Sequence, residues 1–479
     1  MPTTRKIAHN TLLQLGGKIV STLLGLIALG LMTRMLGTER FGWYTSAISF
    51  LQFIGILIDF GLTPVTAQMI GEGAIEKNTL LNNLLGFRLT TAVIVFGLGP
   101  LVASLLHYPT QIVLAMWLLA ISFIATAVNQ VLIGRSQADL NMKLAVGSEL
   151  IGRVVLVVGM WLLVLYGAPF LPFIAVITMA GLVSTISLWI ASTRHNRLRP
   201  AFDWSIWRII WQKSWPISLS IVFNVIYLRG DILILQHYVD QSQIGLYGAA
   251  YRVLDVIAQA GMMLMGIFLP LLAFTWSSRN AKKFHAYYQQ AFDTMMILAA
   301  PLTVGGILLA TPIIQLIAGN NFTASGRILQ ILSLAILGIF LGAVFGHVAV
   351  AINKQKQTMI IYITDAIFTL IGYIYIIPRY GAIGAAWLSV FSEVYAGIGL
   401  AWVITHTLEH PLQFKTFRAI VFACALMGIT LVFLPPLPIL LSTVIGGTVY
   451  VAFLVLSGTI KKSTIKEIFS LKPVLENNE

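Results

Sequence analysis

Apolar residues run through this chain in long stretches, broken at short intervals by charged or turn-forming clusters. Reading between those clusters predicts helices over residues 11–36, 41–70, 79–105, 111–134, 144–166, 168–193, 214–238, 244–275, 285–310, 326–352, 357–377, 382–406, 416–434 and 437–460. Each is long enough to cross a hydrocarbon layer, which takes about 20 residues of helix. A membrane β-barrel would alternate apolar and polar positions over strands of about ten residues, whereas Val154 to Leu165 carries no polar side chain at all. The expectation is an all-α integral membrane protein of about fourteen transmembrane helices.

The pattern also repeats. Phe41-Gly42-Trp43-Tyr44-Thr45-Ser46-Ala47, at the start of the second span, returns as Ile244-Gly245-Leu246-Tyr247-Gly248-Ala249-Ala250 at the start of the eighth. Tyr166-Gly167, between spans five and six, returns as Tyr380-Gly381 between spans eleven and twelve. Both echoes shift by six helices, an even number, so the halves enter the membrane the same way up, as parallel repeats related by an axis along the membrane normal. Two six-helix lobes are expected, at 1–200 and 201–410, with the last two helices and a tail at 411–479. Lobes facing each other across a central cavity are the architecture of an alternating-access transporter.

Composition agrees and excludes alternatives. Of 479 residues 58% are apolar and only 10% charged, against about a quarter charged in a soluble domain. The net charge of +13 resembles that of a nucleic-acid binder until its placement is read: 21 of the 30 lysines and arginines fall on the side that holds both termini, and only Arg34, Arg40, Arg327 and Arg379 on the other. The positive-inside rule puts that richer side in the cytoplasm, so the charge is topology and no nucleic-acid partner is expected. The lone Cys424 allows no disulfide, and the eight histidines lack metal-ligand spacing. There is no GxxxxGK[ST] phosphate loop, so any driving force comes from an ion gradient, the membrane potential or the substrate's own gradient.

The informative residues are the charges inside the spans: Lys18, Arg88, Arg153, Arg229 and Arg252, with Asp59, Glu149, Asp231, Asp255, Asp293, Asp365 and Glu393. A central charge facing lipid costs roughly 2.5–3.5 kcal/mol on insertion scales, and twelve of them would cost about 30. Most must therefore face water or one another, while Lys18 and Asp293 lie near enough to helix ends to snorkel. Glu149 with Arg153, and Arg252 with Asp255, are spaced to pair along one helix face. Two uses are open to each pair, self-neutralisation or release of an anionic ligand from the arginine by the carboxylate. Lys18, Arg88 and Arg229 have no carboxylate one turn away and fit a cationic pocket. Asp59, Asp365 and Glu393 likewise lack a local partner and, with Glu149 and Asp255, are candidates for proton or sodium coupling. Asn129, Gln130, Asn224 and Gln259 serve either sugar binding or interhelical bonding, and Gly338, Gly342 and Gly346 predict close helix packing.

The opening of the chain carries a resemblance. Thr33-Arg34-Met35-Leu36-Gly37-Thr38-Glu39-Arg40-Phe41-Gly42-Trp43-Tyr44, followed by Asp59-Phe60-Gly61-Leu62, resembles the start of Wzx-type polysaccharide flippases of the multidrug, oligosaccharidyl-lipid and polysaccharide exporter superfamily. The resemblance implies a non-enzymatic carrier in a bacterial or archaeal cytoplasmic membrane. It would move undecaprenyl-diphosphate-linked sugars between leaflets, beside a polysaccharide polymerase machinery and with no cofactor. It further implies head-group contacts from the first, second and eighth helices. Lys18 and Arg252 match the first and eighth, whereas the second offers Asp59 and no central cation, a place that Arg88 or Arg229 would fill. The last two helices carry no internal charge, which fits either a groove for an isoprenoid tail or simple lipid-facing helices. Two other readings remain open: an ion-coupled exporter of small organic cations, which requires an acidic cavity, and a membrane polymerase or ligase, which requires a long outward loop.

Overall fold

The computed structural model describes residues 2–59, 69, 75–138, 141–193, 198–408 and 412–459, with the side chains of 2–12, 56–59, 138 and 215–228 outside that description. The described chain is helical throughout. In order the helices are α1 (Pro2–Asp59), α2 (Lys77–Leu105), α3 (Thr110–Ala138), α4 (Lys143–Leu165), α5 (Phe170–Thr193), α6 (Trp204–Tyr238), α7 (Gln241–Ser277) and α8 (Ala281–Leu308). Then follow α9 (Ala310–Ala318), α10 (Ser325–Ser333), α11 (Ala335–Ala351), α12 (Gln355–Thr407), α13 (Lys415–Phe433) and α14 (Ile439–Leu456).

Ten helices among the described residues are long and apolar enough to cross a membrane, and two of these, Leu13–Gly55 and Gln355–Thr407, reach 43 and 53 residues. At 1.5 Å per residue such lengths are about twice what a ~30 Å hydrocarbon layer accepts. Each breaks at a left-handed glycine, Gly37 at φ 69° and Gly381 at φ 54°, a conformation open to glycine and strained for other residues. Each therefore supplies two spans, as the sequence pattern predicts. The predicted span 326–352 is instead a bent pair, α10 and α11 meeting at 40°. The short helix α9 and a 3-10 turn at Asn320–Phe322 occupy what reads in sequence as a plain loop. Helix α6 starts well before the predicted residue 214 because the Asp203 carboxylate caps it, accepting from Ser205 N at 2.9 Å.

Spatial proximity gathers the chain into two compact units. One comprises Met1–Arg252, Ile314–Ile328 and Tyr362–Ser392, the other Val253–Ile313, Leu329–Ile361 and Glu393–Glu479. In the first, the two copies of the repeated motif lie against each other. A Cβ on Gly42 would collide with the carbonyl of Gln241, and a Cβ on Gly245 would collide with the carbonyl of Thr38. Position 38 stands to 42 as 241 stands to 245, so the two collisions are the same contact made twice, the reciprocal arrangement that a two-fold relation produces. Thr38 Oγ1 and Ser242 Oγ meet at 3.3 Å beside it, and Ser46 Oγ donates to Gln236 Oε1 at 2.6 Å. The second echo is a turn: Gly167 and Gly381 both take positive φ, 61° and 54°. In the same unit Arg34 closes the end of α9, donating to Leu316 O at 2.6 Å and Ile317 O at 3.1 Å.

In the second unit α11 crosses α12 at Gly338, where a Cβ would stand 2.5 Å from the Glu393 backbone, while Gly342 faces open space. Asp293 accepts from Gln289 Nε2 at 3.0 Å and Thr416 Oγ1 at 3.2 Å, tying α8 to the first turn of α13.

Because backbone, not a flexible side chain, meets the missing Cβ, Gly42→Ala and Gly245→Ala should each destabilise the protein by about 1–3 kcal/mol, the range of an overpacked core. Gly266→Ala, with nothing within 4 Å, should be neutral or stabilising by up to ~1 kcal/mol through helix propensity. Thermal unfolding of the purified protein in detergent micelles ranks the three.

Candidate functional site

The densest group of partly open charges lies between the first half of α1 and the start of α4. Lys18 Nζ stands 4.0 Å from Glu149 Oε1, and Arg153 Nη2 stands 3.9 Å from the same oxygen. Ser21 joins the set, donating to Glu149 Oε1 at 2.6 Å and accepting from Arg153 Nε at 3.0 Å. Glycine at position 17 makes the approach possible. A Cβ on Gly17 would collide with Val146 on α4, and one on Gly25 would lie 3.5 Å from the Arg153 guanidinium. Lys18, Glu149 and Arg153 therefore form one group on two helices. The predicted intrahelical pair holds, and Lys18 finds across the interface the carboxylate its own helix lacks.

The group is partly open. The side chains of Lys18, Glu149 and Arg153 are 38%, 42% and 37% exposed. Charges so open on apolar helices are met by water or a polar ligand. The group carries two cations and one anion, which leaves a net positive charge for an anion to meet.

The other predicted cations have different surroundings. Arg88 on α2 is 3% exposed and donates to Gln130 Oε1 on α3. Arg229 on α6 is half-buried with its guanidinium 5.0 Å from the centre of the Tyr251 ring, a cation–π distance. Arg252 and Asp255 are half-buried on successive turns of α7, and Glu393 is half-buried on α12. The side chains of Asp59 and Asn224 lie outside the described residues.

A second polar group forms where α6, α7 and α12 meet in the first unit. Asp365, fully buried, accepts from Thr369 Oγ1 at 3.0 Å and Ser392 Oγ at 2.8 Å. Asp231, 1% exposed, accepts from the Tyr247 hydroxyl and from Ile232 N at 2.7 Å. Tyr247 also meets Ser389 Oγ at 3.1 Å. Tyr373 hydrogen-bonds Ser389 and lies within electrostatic reach of both carboxylates. Of this set sequence reasoning selected only Asp365 as a site residue. Tyr247 was visible as part of the repeated motif, but nothing in the sequence tied it to Asp231.

The second unit holds an apolar pocket of about 240 Å³ whose walls include Ile257, Pro301, Gly305, Met427, Leu431 and Gly446. Met427 and Leu431 on α13 and Gly446 on α14 bring the last two helices into its lining.

Tyr247→Phe should leave the buried Asp231 carboxylate one donor short and cost about 1–3 kcal/mol. Tyr375→Phe, at a position 64% exposed, should change little, and the difference in unfolding temperature between the two variants measures the bond.

Comparison with known proteins follows the same lines. Residues 234–457 match a family model described as "Lipid II flippase MurJ". The chain is similar to the "Probable low-salt glycan biosynthesis flippase Agl15" of Haloferax volcanii, 22% identical over 94% of this chain and 96% of that protein. Its fold is similar to that of the lipid II flippase MurJ in an inward closed conformation, with a TM-score of 0.77 and 15% identity over 96% of this chain and all of that one. It is also similar to an inward-facing multidrug resistance transporter of the MOP superfamily, with a TM-score of 0.62 and 14% identity over 81% of this chain and 94% of that one. A model described as "Polysaccharide biosynthesis protein" matches residues 31–327, more than half of the sequence, and the chain belongs to that family of multi-helical membrane proteins.

Proposed function

We propose that the protein is a flippase that carries a lipid-linked oligosaccharide, its sugars joined through a diphosphate to an isoprenoid such as undecaprenol, from the inner to the outer leaflet for cell-surface polysaccharide synthesis. The observation that carries this reading is the open group of Lys18, Ser21, Glu149 and Arg153. A diphosphate brings more negative charge than one carboxylate, so it displaces Glu149 from the two cations. Once the head group leaves, Glu149 returns and the empty site keeps its charge balance. A carrier that must bind and then release needs both halves of that exchange. Membership of a polysaccharide biosynthesis family and the likeness to an archaeal glycan flippase support the same reading.

Arg229 and Arg252, both half-buried, are the further cations assigned to the head group, and the apolar pocket between α8, α13 and α14 suits part of an isoprenoid tail. A bacterial or archaeal cytoplasmic membrane goes with this reading, and the basic-residue bias favours both termini on its cytoplasmic side. Coupling, if the carrier is driven, falls to Asp365, whose partners are hydroxyl groups of Thr369 and Ser392. A buried carboxylate held by hydroxyl groups and not by a cation leaves its charge to be balanced by a bound sodium ion or proton, which departs when the helices part.

Deleting the gene should accumulate lipid-linked oligosaccharide in the inner leaflet and abolish the surface polymer. Lys18→Ala combined with Arg153→Ala should reduce transport about a hundredfold, from two charge-assisted contacts worth roughly 1.5 kcal/mol each. Normal surface polysaccharide from that double variant at normal expression would refute the head-group assignment. Glu149→Gln should hold the head group more tightly and release it more slowly. Asp365→Asn, which can still accept from the same hydroxyls, should remove the dependence of transport on a sodium or proton gradient imposed across reconstituted vesicles. Gradient-driven efflux of cationic dyes in place of glycolipid transport would favour the organic-cation exporter.

A further inference from the structure

A second cavity lies in the second unit, at the end of α7 and the start of α8. It has a volume of about 880 Å³, and its walls include Phe274, Trp276, Arg279, Phe284, Val350 and Asn353. Two turns frame it. Asn280 N donates to Thr275 O and Arg279 N to Trp276 O, each at 3.0 Å, closing α7. Lys354 N donates to Ala349 O at 2.8 Å and Asn353 N to Val350 O at 3.2 Å, closing α11. This hydrogen-bond pattern puts one residue in the left-handed region just past the helix, a place that glycine fills without strain. Here it is filled by Arg279 at φ 54° and Asn353 at φ 58°. Asparagine tolerates the conformation, while arginine has no local hydrogen bond to favour it. Arg279 lines the cavity.

Charge is one-sided around it. Arg279, on its wall, is followed by Lys282 and Lys283 in the first turn of α8, Lys354 and Lys356 follow Asn353, and no Asp or Glu occurs in residues 272–286 or 348–358. The first turn of α8 adds the positive end of a helix 28 residues long, capped by Asn280, whose Oδ1 accepts from Lys283 N at 3.1 Å. The rim is apolar, with Phe274 71% exposed, Val350 44% and Trp276 40%. A free inorganic anion has no use for that rim. An arginine on the wall, further basic residues in the flanking segments, and exposed aromatic and aliphatic side chains at the rim match an amphiphile at the membrane–water boundary, where Trp concentrates.

We propose that this cavity binds an anionic phospholipid, its phosphate on Arg279 and the α8 first turn and its upper acyl chain along Phe274 and Val350. The site is built from residues that the transport reading does not use, and it does not depend on which molecule is carried.

The test uses the purified full-length protein in nanodiscs of phosphatidylcholine, with and without phosphatidylglycerol, and reads the unfolding temperature. Phosphatidylglycerol should raise it for the unaltered protein. Arg279→Gly, which suits the left-handed backbone and so folds at least as well in phosphatidylcholine, should lose most of that rise. Asn353→Gly, which changes the same backbone feature without removing charge, should keep it, and so should Arg418→Gln, an exposed cation on α13 outside the cavity. Inorganic phosphate added to phosphatidylcholine nanodiscs should give no comparable rise. The proposal is overturned if phosphatidylglycerol has no effect on the unaltered protein, if Arg279→Gly keeps the full rise, if Arg418→Gln loses as much, or if phosphate alone reproduces the effect.

Discussion

The contact on which the first unit turns is made by two absent side chains. In water, helices associate because their apolar faces escape solvent. In lipid that force is missing, and association depends on close packing and on polar groups that find one another. Gly42 and Gly245 let the backbone of each repeat reach the backbone of the other, each glycine against the residue four places before its counterpart. Around that approach gather Thr38 with Ser242 and Ser46 with Gln236. The same device recurs at smaller scale, Gly17 admitting Val146 and Gly338 admitting the backbone at Glu393. A chain 58% apolar thus specifies its helix neighbours largely through residues that contribute almost no side chain.

The second constraint is the cost of charge in a low-dielectric slab, and the structure meets it in three distinct ways. Asp293 is consumed in fastening α8 to α13. Asp231 and Asp365 are buried and wrapped by hydroxyl and backbone donors. Lys18, Glu149 and Arg153 stay partly open and balance one another. The last arrangement leaves charge that an outside molecule can reach, and the main head-group contact is proposed there. Arg88 shows the contrast, since an arginine 3% exposed and held by Gln130 is in position to pack α2 against α3.

Much of this was legible in the chain itself. Span length is set by bilayer thickness and helix rise, so the transmembrane pattern followed from apolar run lengths, and the breaks at Gly37 and Gly381 fell between predicted spans. The repeat was readable because glycine and aromatic residues recur at a fixed offset, and the Glu149–Arg153 pair because helix geometry fixes what lies four residues away. Where a local interaction departed from run length, at the Asp203 cap that starts α6 early and at the bend between α10 and α11, the boundaries moved.

What the sequence by itself determined, then, was everything that depends on one helix at a time: its length, its likeness to its repeat, its internal charge pairs and the family signature around Thr33–Tyr44. The tertiary structure decided which helices share a charge. Lys18 with Glu149 lies 131 positions apart, Tyr247 with Ser389 142 apart, and Arg279 and Asn353 line one cavity from turns 74 residues distant. The reason is physical: hydropathy sets the depth of a residue in the bilayer, but leaves the rotation and neighbours of its helix to packing. Whether a buried charge becomes a structural tie or an open site depends on those neighbours.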